Sequence, residues 1–323
     1  MKKRIIATLS AVLAVILLLF TSAFASSAAD DGLKNVDGKW IYVKDGVKDT
    51  SFTSLVKYYS TWYYVENGEL NWSFTGLTDY YGTKYYVENG VLNWDYTGLA
   101  LLGSDEWYYA ENGEVKNDYT GLTYFCGRWF YVEKSALNWD YTGLTNYYGT
   151  WYYVENSILN WSFTGLTDYY GTKYYVENGV LNWNYTGLAL LGSDEWYYAE
   201  NGAVKNDYTG LTYFCGRWFY VEKSALNWDF TGLTDYYGTK YYVENSILNW
   251  DYTGLALFGS DKWYYAENGT VKNDYTGLVH FGDRWLYVEK SAFNRDYTGL
   301  TNYYGTWYLS LIHISEPTRR RGI

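Results

Sequence analysis

A Thr-Gly-Leu triplet recurs every 22 or 23 residues along this chain, beginning at Thr75, Thr97, Thr120, Thr142, Thr164, Thr186, Thr209, Thr231, Thr253, Thr276 and Thr298. A fixed period of that length restricts the fold to a stacked array of one small unit, because a single unit cannot bury its own apolar face. A higher order is also visible. Residues 75–163 hold four repeat types, 164–230 copy the first three almost letter for letter, and 231–308 are a looser copy. Upstream the pattern wears to Thr53-Ser54-Leu55 and Trp40-Ile41-Tyr42-Val43. Residues 26–52 therefore read as a degenerate N-terminal cap and 53–308 as the tandem array.

Each unit reads as a β-hairpin. In Thr83–Tyr96, the residues Tyr85, Tyr86 and Val87 favour strand. Asn89-Gly90 is a strong two-residue turn signal, since both residues accept positive φ. A turn there predicts the pairs Val87–Leu92, Tyr85–Trp94 and Lys84–Asp95. Alternation then puts Tyr85, Val87, Leu92 and Trp94 on one face, and Lys84, Tyr86, Glu88, Val91, Asn93 and Asp95 on the other. One hairpin alone is marginal in water. The expected fold is all-β, a solenoid of tandem β-hairpin repeats of 22–23 residues.

The internal copies distinguish the positions. Tyr85 corresponds to Phe130, Phe219 and Leu286, which is how a core position behaves. Tyr86 corresponds to a Tyr in every copy, which predicts an exposed or ligand-facing phenol. Position 84 alternates between Lys and Trp, so it is not deep core. Exposed aromatic pairs are predicted at Trp107/Tyr109, Trp129/Tyr131, Trp151/Tyr153, Trp196/Tyr198, Trp218/Tyr220, Trp263/Tyr265 and Trp285/Tyr287. These pairs are the candidate ligand-binding residues.

The two ends read differently from the array. Lys2, Lys3 and Arg4 precede an apolar run from Ile5 to Phe20, followed by Ala23-Phe24-Ala25. That layout is a secretory signal peptide over residues 1–25, shorter than a spanning helix. After Tyr308 the repeat breaks. Residues 309–323, which contain Pro317 and Arg319-Arg320-Arg321, resemble the translation of a sequencing adapter and are set aside as standing in place of the natural C-terminus. With both ends removed, the net charge of −11 deepens to about −16. Nucleic acid and anionic membranes are poor partners for such a surface. Cys126 and Cys215 occupy equivalent places in two copies and read as free thiols.

Gly-Thr-Trp-Tyr-Tyr-Val-Glu-Asn-Ser at 149–157 and Ser-Asp-Glu-Trp-Tyr-Tyr-Ala-Glu-Asn-Gly at 104–113 resemble the choline-binding and glucan-binding repeats of Gram-positive surface proteins. The resemblance covers nearly all of residues 37–308. It implies a solenoid of β-hairpins whose ligand sites are formed by aromatic residues of neighbouring hairpins. Those repeats usually end in Gly-Trp or Gly-Tyr, and here that place is Leu77, Leu99, Leu122 and Leu144. In the choline binders the missing Trp is one wall of the aromatic cage, so the resemblance implies fold and surface location rather than choline itself.

The expected function is a non-catalytic, secreted or cell-surface protein that binds a cell-wall polymer or carbohydrate through its Trp/Tyr pairs. Repetition of weak sites gives avidity on a repetitive polymer. The alternative is a structural stalk or adhesin spacer with no ligand of its own, or the binding array of a longer protein. Lys/Trp exchange at position 84 favours the spacer. Catalysis is not expected. The carboxylates recur identically in each unit, whereas glycoside hydrolysis needs one singular pair. His280 is the only His before the tail, and no Cys/His cluster has metal-ligand spacing. No cofactor or metal is expected.

Overall fold

A computed structural model describes residues 31–311 of the chain, with side chains to 309. The predicted signal peptide and the tail beyond 311 lie outside the described residues. Among the described residues there are strands and turns and no helix. They divide into two compact units, one of residues 31–147 with 154–159 and the other of 148–153 with 160–311. The same repeat builds both, and the all-β tandem-hairpin reading holds.

Each repeat has three strands rather than two. The first is Gly76–Tyr80, the second Thr83–Glu88, and the third the two-residue Val91–Leu92. The principal hairpin joins the first two strands, pairing Gly76 with Val87 and Tyr80 with Thr83. Its turn is Tyr81-Gly82, with φ of 50° and 85°. Two successive positive φ values define the turn whose twist matches a hairpin. Asp79 fixes it, its carboxylate accepting a hydrogen bond from the Gly82 N–H at 3.0 Å. Residues 32–48 show the same pattern of three strands.

The hairpin predicted over Asn89-Gly90 is therefore the minor one. Its Val87–Leu92 pair is present, with Glu88–Val91 beside it, but the ladder stops there. Asn93 ends it. Its side-chain oxygen accepts from the Asp95 N–H at 2.9 Å, and its amide donates to Glu88 at 2.8 Å. An Asx turn of this kind competes with strand pairing for the backbone. Tyr85 and Trp94 are not ladder partners, although their rings meet edge-on at 5.7 Å.

Stacking is built on the Asn-Gly turn. The Tyr86 N–H donates to the Gly113 carbonyl of the next repeat at 2.8 Å, and the Gly113 N–H donates back to the Tyr96 carbonyl at 2.9 Å. The turn is wedged against its neighbour. A Cβ on Gly90 would stand 2.5 Å from the Asn71 carbonyl oxygen of the preceding repeat. Where Ser replaces this Gly, as at Ser135 and Ser157, φ remains positive at 65° and 66° and the side chain is fully buried.

Burial does not follow the predicted alternation. Tyr86 and Val87 are neighbours in sequence and both are buried. The second strand runs through the middle of the stack and is covered on both faces. Val87 packs with Leu55 and Tyr64 of the preceding repeat. Tyr86 packs with Leu77 and with Ala100, Ala110 and Val115 of the following one. Trp94, assigned to the core face, is half-exposed.

Candidate functional site

The predicted Trp/Tyr pairs separate in the structure. Trp107, Trp129, Trp151, Trp196, Trp218, Trp263 and Trp285 are all half-buried, with part of each ring reaching solvent. Their Tyr partners belong to the packing. Tyr131, Tyr153 and Tyr220 are buried, and Tyr109, Tyr198, Tyr265 and Tyr287 are half-buried. Each constant Tyr stacks on the ring that precedes the next Thr-Gly, as Tyr109 does on Tyr119 at 4.0 Å, Tyr131 on Tyr141 at 3.7 Å and Tyr198 on Tyr208 at 4.0 Å. The expectation of an exposed phenol at this position is corrected. The ring at this position is taken up by stacking within the repeat.

The Trp rings meet a different partner, at the end of the next repeat's first strand. Trp62 contacts Tyr80, Trp107 Phe125, Trp129 Tyr147, Trp151 Tyr169, Trp196 Phe214, Trp218 Tyr236, Trp263 Phe281 and Trp285 Tyr303, with centroids 4.8–5.3 Å apart. Edge-to-face geometry dominates, as ring quadrupoles favour. A third ring closes the junction. Trp62 and Tyr80 pack with Tyr85, over a floor of Leu55 and Leu92. In the equivalent junction of Trp218, Tyr236 and Tyr241 the floor is Leu211 of a Thr-Gly-Leu triplet, so the Leu that replaces the expected repeat-end Trp forms the base of the junction.

Leu255, Trp263, Phe281, Leu286 and Phe293 line an open pocket of about 180 Å³ at their junction. Leu286 takes the place of the third ring, and its smaller side chain leaves the space. Beside the junctions stand rings that sequence reasoning passed over. The turn residues Tyr81, Tyr148, Tyr170 and Tyr237 are at least nine-tenths exposed. Tyr81 lies edge-on to Tyr80 at 4.6 Å. The signal for them is the Asp-Tyr-Tyr-Gly run, Asn-Tyr-Tyr-Gly at Tyr148, whose Asp or Asn and Gly mark a turn as clearly as Asn-Gly does. Cys126 and Cys215 occupy the same turn position and are free and exposed, as expected.

Burial also sets the phenol chemistry. The stacking ring Tyr96 donates to the Leu99 carbonyl, and desolvation, with Tyr86 beside it, raises its pKa to about 12. Tyr80 is raised by desolvation and then by Tyr81 and Tyr85. These hydroxyls are neutral at physiological pH, and their rings present faces without charge. The carboxylates have structural partners instead. Glu133, Glu222 and Glu244 each accept from an Asn amide five residues on, at 2.8–2.9 Å.

In three junctions the ring of Trp is replaced by a cation. The Lys84 ammonium lies 5.0 Å from the centroid of Tyr108, and Lys173 lies 5.0 Å from that of Tyr197. Lys240 lies 4.9 Å from Phe258 and 5.3 Å from Tyr264. These are cation–π distances. The rings at a repeat junction hold an ammonium group in the folded chain.

A family model, choline-binding repeat, matches nine stretches: residues 31–49, 51–71, 73–93, 118–138, 140–160, 162–182, 207–227, 229–249 and 251–272. Together they exceed half of the chain. The protein belongs to the choline-binding repeat family. The matched stretch 73–93 spans the principal hairpin and the Asn-Gly turn of one repeat. Residues 94–117 and 183–206 fall between matches, and both hold repeats whose hairpin turn is lengthened, at Gly103-Ser104-Asp105 and Gly192-Ser193-Asp194. No curated protein matches the chain. It is similar to choline-binding protein F from Streptococcus pneumoniae, at 21% identity over 83% of this chain and 100% of that one, with a TM-score of 0.30. It is also similar to CbpJ from Streptococcus pneumoniae TIGR4, at 21% identity over 85% and 99%, with a TM-score of 0.27. Alternansucrase in complex with isomaltononaose is similar at 17% identity over 90% of this chain and 24% of that one, with a TM-score of 0.25.

Proposed function

We propose that this choline-binding-repeat chain is a non-catalytic, exported binding protein that holds a cell-wall polymer carrying quaternary ammonium groups. The residues that bind are the Trp-bearing junctions, each built from Trp129, Trp151 or an equivalent and the aromatic ring of the next repeat. The observation that carries this reading is the position of Lys84, Lys173 and Lys240. In the folded chain an ammonium group sits on junction rings at about 5 Å, the contact a choline headgroup makes with an aromatic cage. Family membership supports the same ligand class.

Within the predicted pairs, the Trp supplies the contact and the Tyr supplies rigidity. Tyr109, Tyr131, Tyr153, Tyr198, Tyr220, Tyr265 and Tyr287 hold the strand that presents each Trp. A single junction is a weak site, worth about 1–2 kcal/mol per ring contact. A row of them on a repetitive polymer gains by effective concentration. The acidic surface adds attraction for a cationic headgroup.

A pull-down tests this reading. The purified protein is incubated with Gram-positive cell walls whose teichoic acid does or does not carry choline, with α-glucan and mucin glycan as further arms. Retention on the choline-bearing walls alone, released by free choline, is the expected result. Retention on α-glucan instead, unaffected by choline, would replace the ligand class with a sugar. A folded protein retained by none of them would establish the spacer reading.

A further inference from the structure

The Lys junctions differ from the Trp junctions in more than one residue, and the differences move together. Where a repeat carries Lys84 or Lys173, the next repeat has Leu102 or Leu191 in place of the first-strand ring found at Tyr80 or Phe125, whereas after Lys240 the ring is kept as Phe258. The same next repeat has Asn117, Asn206 or Asn273 in place of the Trp found at Trp94. After a Trp junction, the third ring is covered by its own repeat's Trp, as Tyr152 is by Trp161 at 5.8 Å and Tyr241 by Trp250 at 5.8 Å. Among the described residues the departure is Leu286 with Arg295, where there is no ring to cover. After a Lys junction that covering Trp is absent, and the ammonium of the preceding repeat lies on the ring instead. Each Lys also faces an Asp across its hairpin, Asp79, Asp168 or Asp235. Lys240 lies 4.0 Å from the Asp235 carboxylate with its side chain 24% exposed.

Resting on the cation-binding reading above, we infer that the Lys junctions are closed sites, each filled by the chain's own ammonium acting as a tethered ligand. Binding positions along the chain then come in runs, Trp40 to Trp62, Trp107 to Trp151, Trp196 to Trp218 and Trp263 to Trp285, separated by blanks at Lys84, Lys173 and Lys240. The spacing of choline groups that the array engages on a polymer is set by these blanks. Lys and Trp at one position are then two states of the same site, occupied and vacant.

Amine labelling tests the closure without any external ligand. The intact protein is treated briefly with an acetylating N-hydroxysuccinimide ester and each Lys is followed by peptide mass spectrometry. Lys84, Lys173 and Lys240 should react roughly fivefold more slowly than the exposed turn residues Lys134 and Lys223, the population change expected of a cation–π contact of ordinary strength. Tyr108→Leu, which copies the Leu286 found in another repeat, should return Lys84 alone to the faster rate. Equal rates in the wild type, or no response of Lys84 to Tyr108→Leu, would overturn the inference. In a second measurement tetramethylammonium is titrated by calorimetry. Lys240→Ala frees two rings and should add one bound cation per chain. A wild type that binds the cation and a variant that gains none would also overturn closure. Slow labelling in a protein that binds no tetramethylammonium would leave closure standing and refute the cation-binding function.

Discussion

Replacing Ser135 by Gly should stabilise the protein, against the usual expectation for an added glycine. Ser135 has φ of 65°, a left-handed conformation that costs an ordinary residue about 1–2 kcal/mol. Its hydroxyl is fully buried and makes no hydrogen bond, which costs about 1–3 kcal/mol more. Glycine removes both terms and adds about 0.5–1 kcal/mol of backbone entropy. The net gain is about 1–4 kcal/mol. Ser157 supplies the control. Its φ is 66°, but its hydroxyl donates to the Tyr131 carbonyl at 3.0 Å, so Ser157→Gly loses a bond where Ser135→Gly loses none. It should gain at least about 1 kcal/mol less. A repeat array need not unfold in one step, so the local readout is amide exchange. The Tyr109 N–H, which donates to the Ser135 carbonyl at 2.7 Å, reports the first substitution, and the Tyr131 N–H, bonded to Ser157 at 2.7 Å, reports the second. Faster Tyr109 exchange in Ser135→Gly, or an equal gain from Ser157→Gly, would refute this account of the turn.

Three further predictions follow from the same packing. Tyr131→Phe keeps the stack on Tyr141 and should change stability by less than about 1 kcal/mol, whereas Tyr131→Ala should cost about 3–5 kcal/mol in denaturant unfolding. Neither substitution removes a ligand ring, so in both a polymer still bound by the folded protein is bound through Trp129. The pKa values of Tyr96, Tyr185 and Tyr252 are raised to about 12, chiefly by desolvation. Between the ordinary phenol value near 10 and about 12 the folded state holds protons that the unfolded state has released. Stability should therefore be unaffected by these groups below pH 10 and fall as pH rises from 10 to 12, followed by tyrosinate absorbance and circular dichroism together. A fall beginning near pH 8 would assign the loss to other groups. Cys126 and Cys215 are exposed at hairpin turns and should both alkylate rapidly in the folded protein, with mass spectrometry showing two adducts without denaturant.

The period was legible because it is written in the Thr-Gly-Leu triplet, and the all-β class followed from turns and strand formers. The principal hairpin was harder to see. Its turn begins with Tyr81, a residue rarely placed at positive φ, and only the Asp79 side chain reveals why it is stable there. The two-sided burial of Tyr86 and Val87 was not legible either. Alternation assumes one wet face, and the second strand of each repeat is covered by a neighbour on both sides. The candidate site was half legible. The Lys/Trp exchange marked position 84 as partly exposed, and the structure places it at the junction. The ring that meets it across the repeat junction is not legible in the sequence, because that pairing depends on the first strand, which has no place in the predicted hairpin. Invariance of Tyr86 suggests an exposed or ligand-facing phenol, yet the ring is buried and stacks on Tyr96 at 3.6 Å.

Site-resolved fluorescence quenching separates ligand held at the Trp junctions, as proposed, from ligand held elsewhere on the chain. Choline is titrated into the wild type, into Trp129→Ala with Trp151→Ala, and into Tyr170→Ala with Tyr237→Ala, which removes two exposed turn rings that belong to no junction. Saturable quenching that weakens only in the first variant, with the second unchanged, is the predicted result. Quenching lost in the second variant and kept in the first would move the site off the junctions and contradict the account.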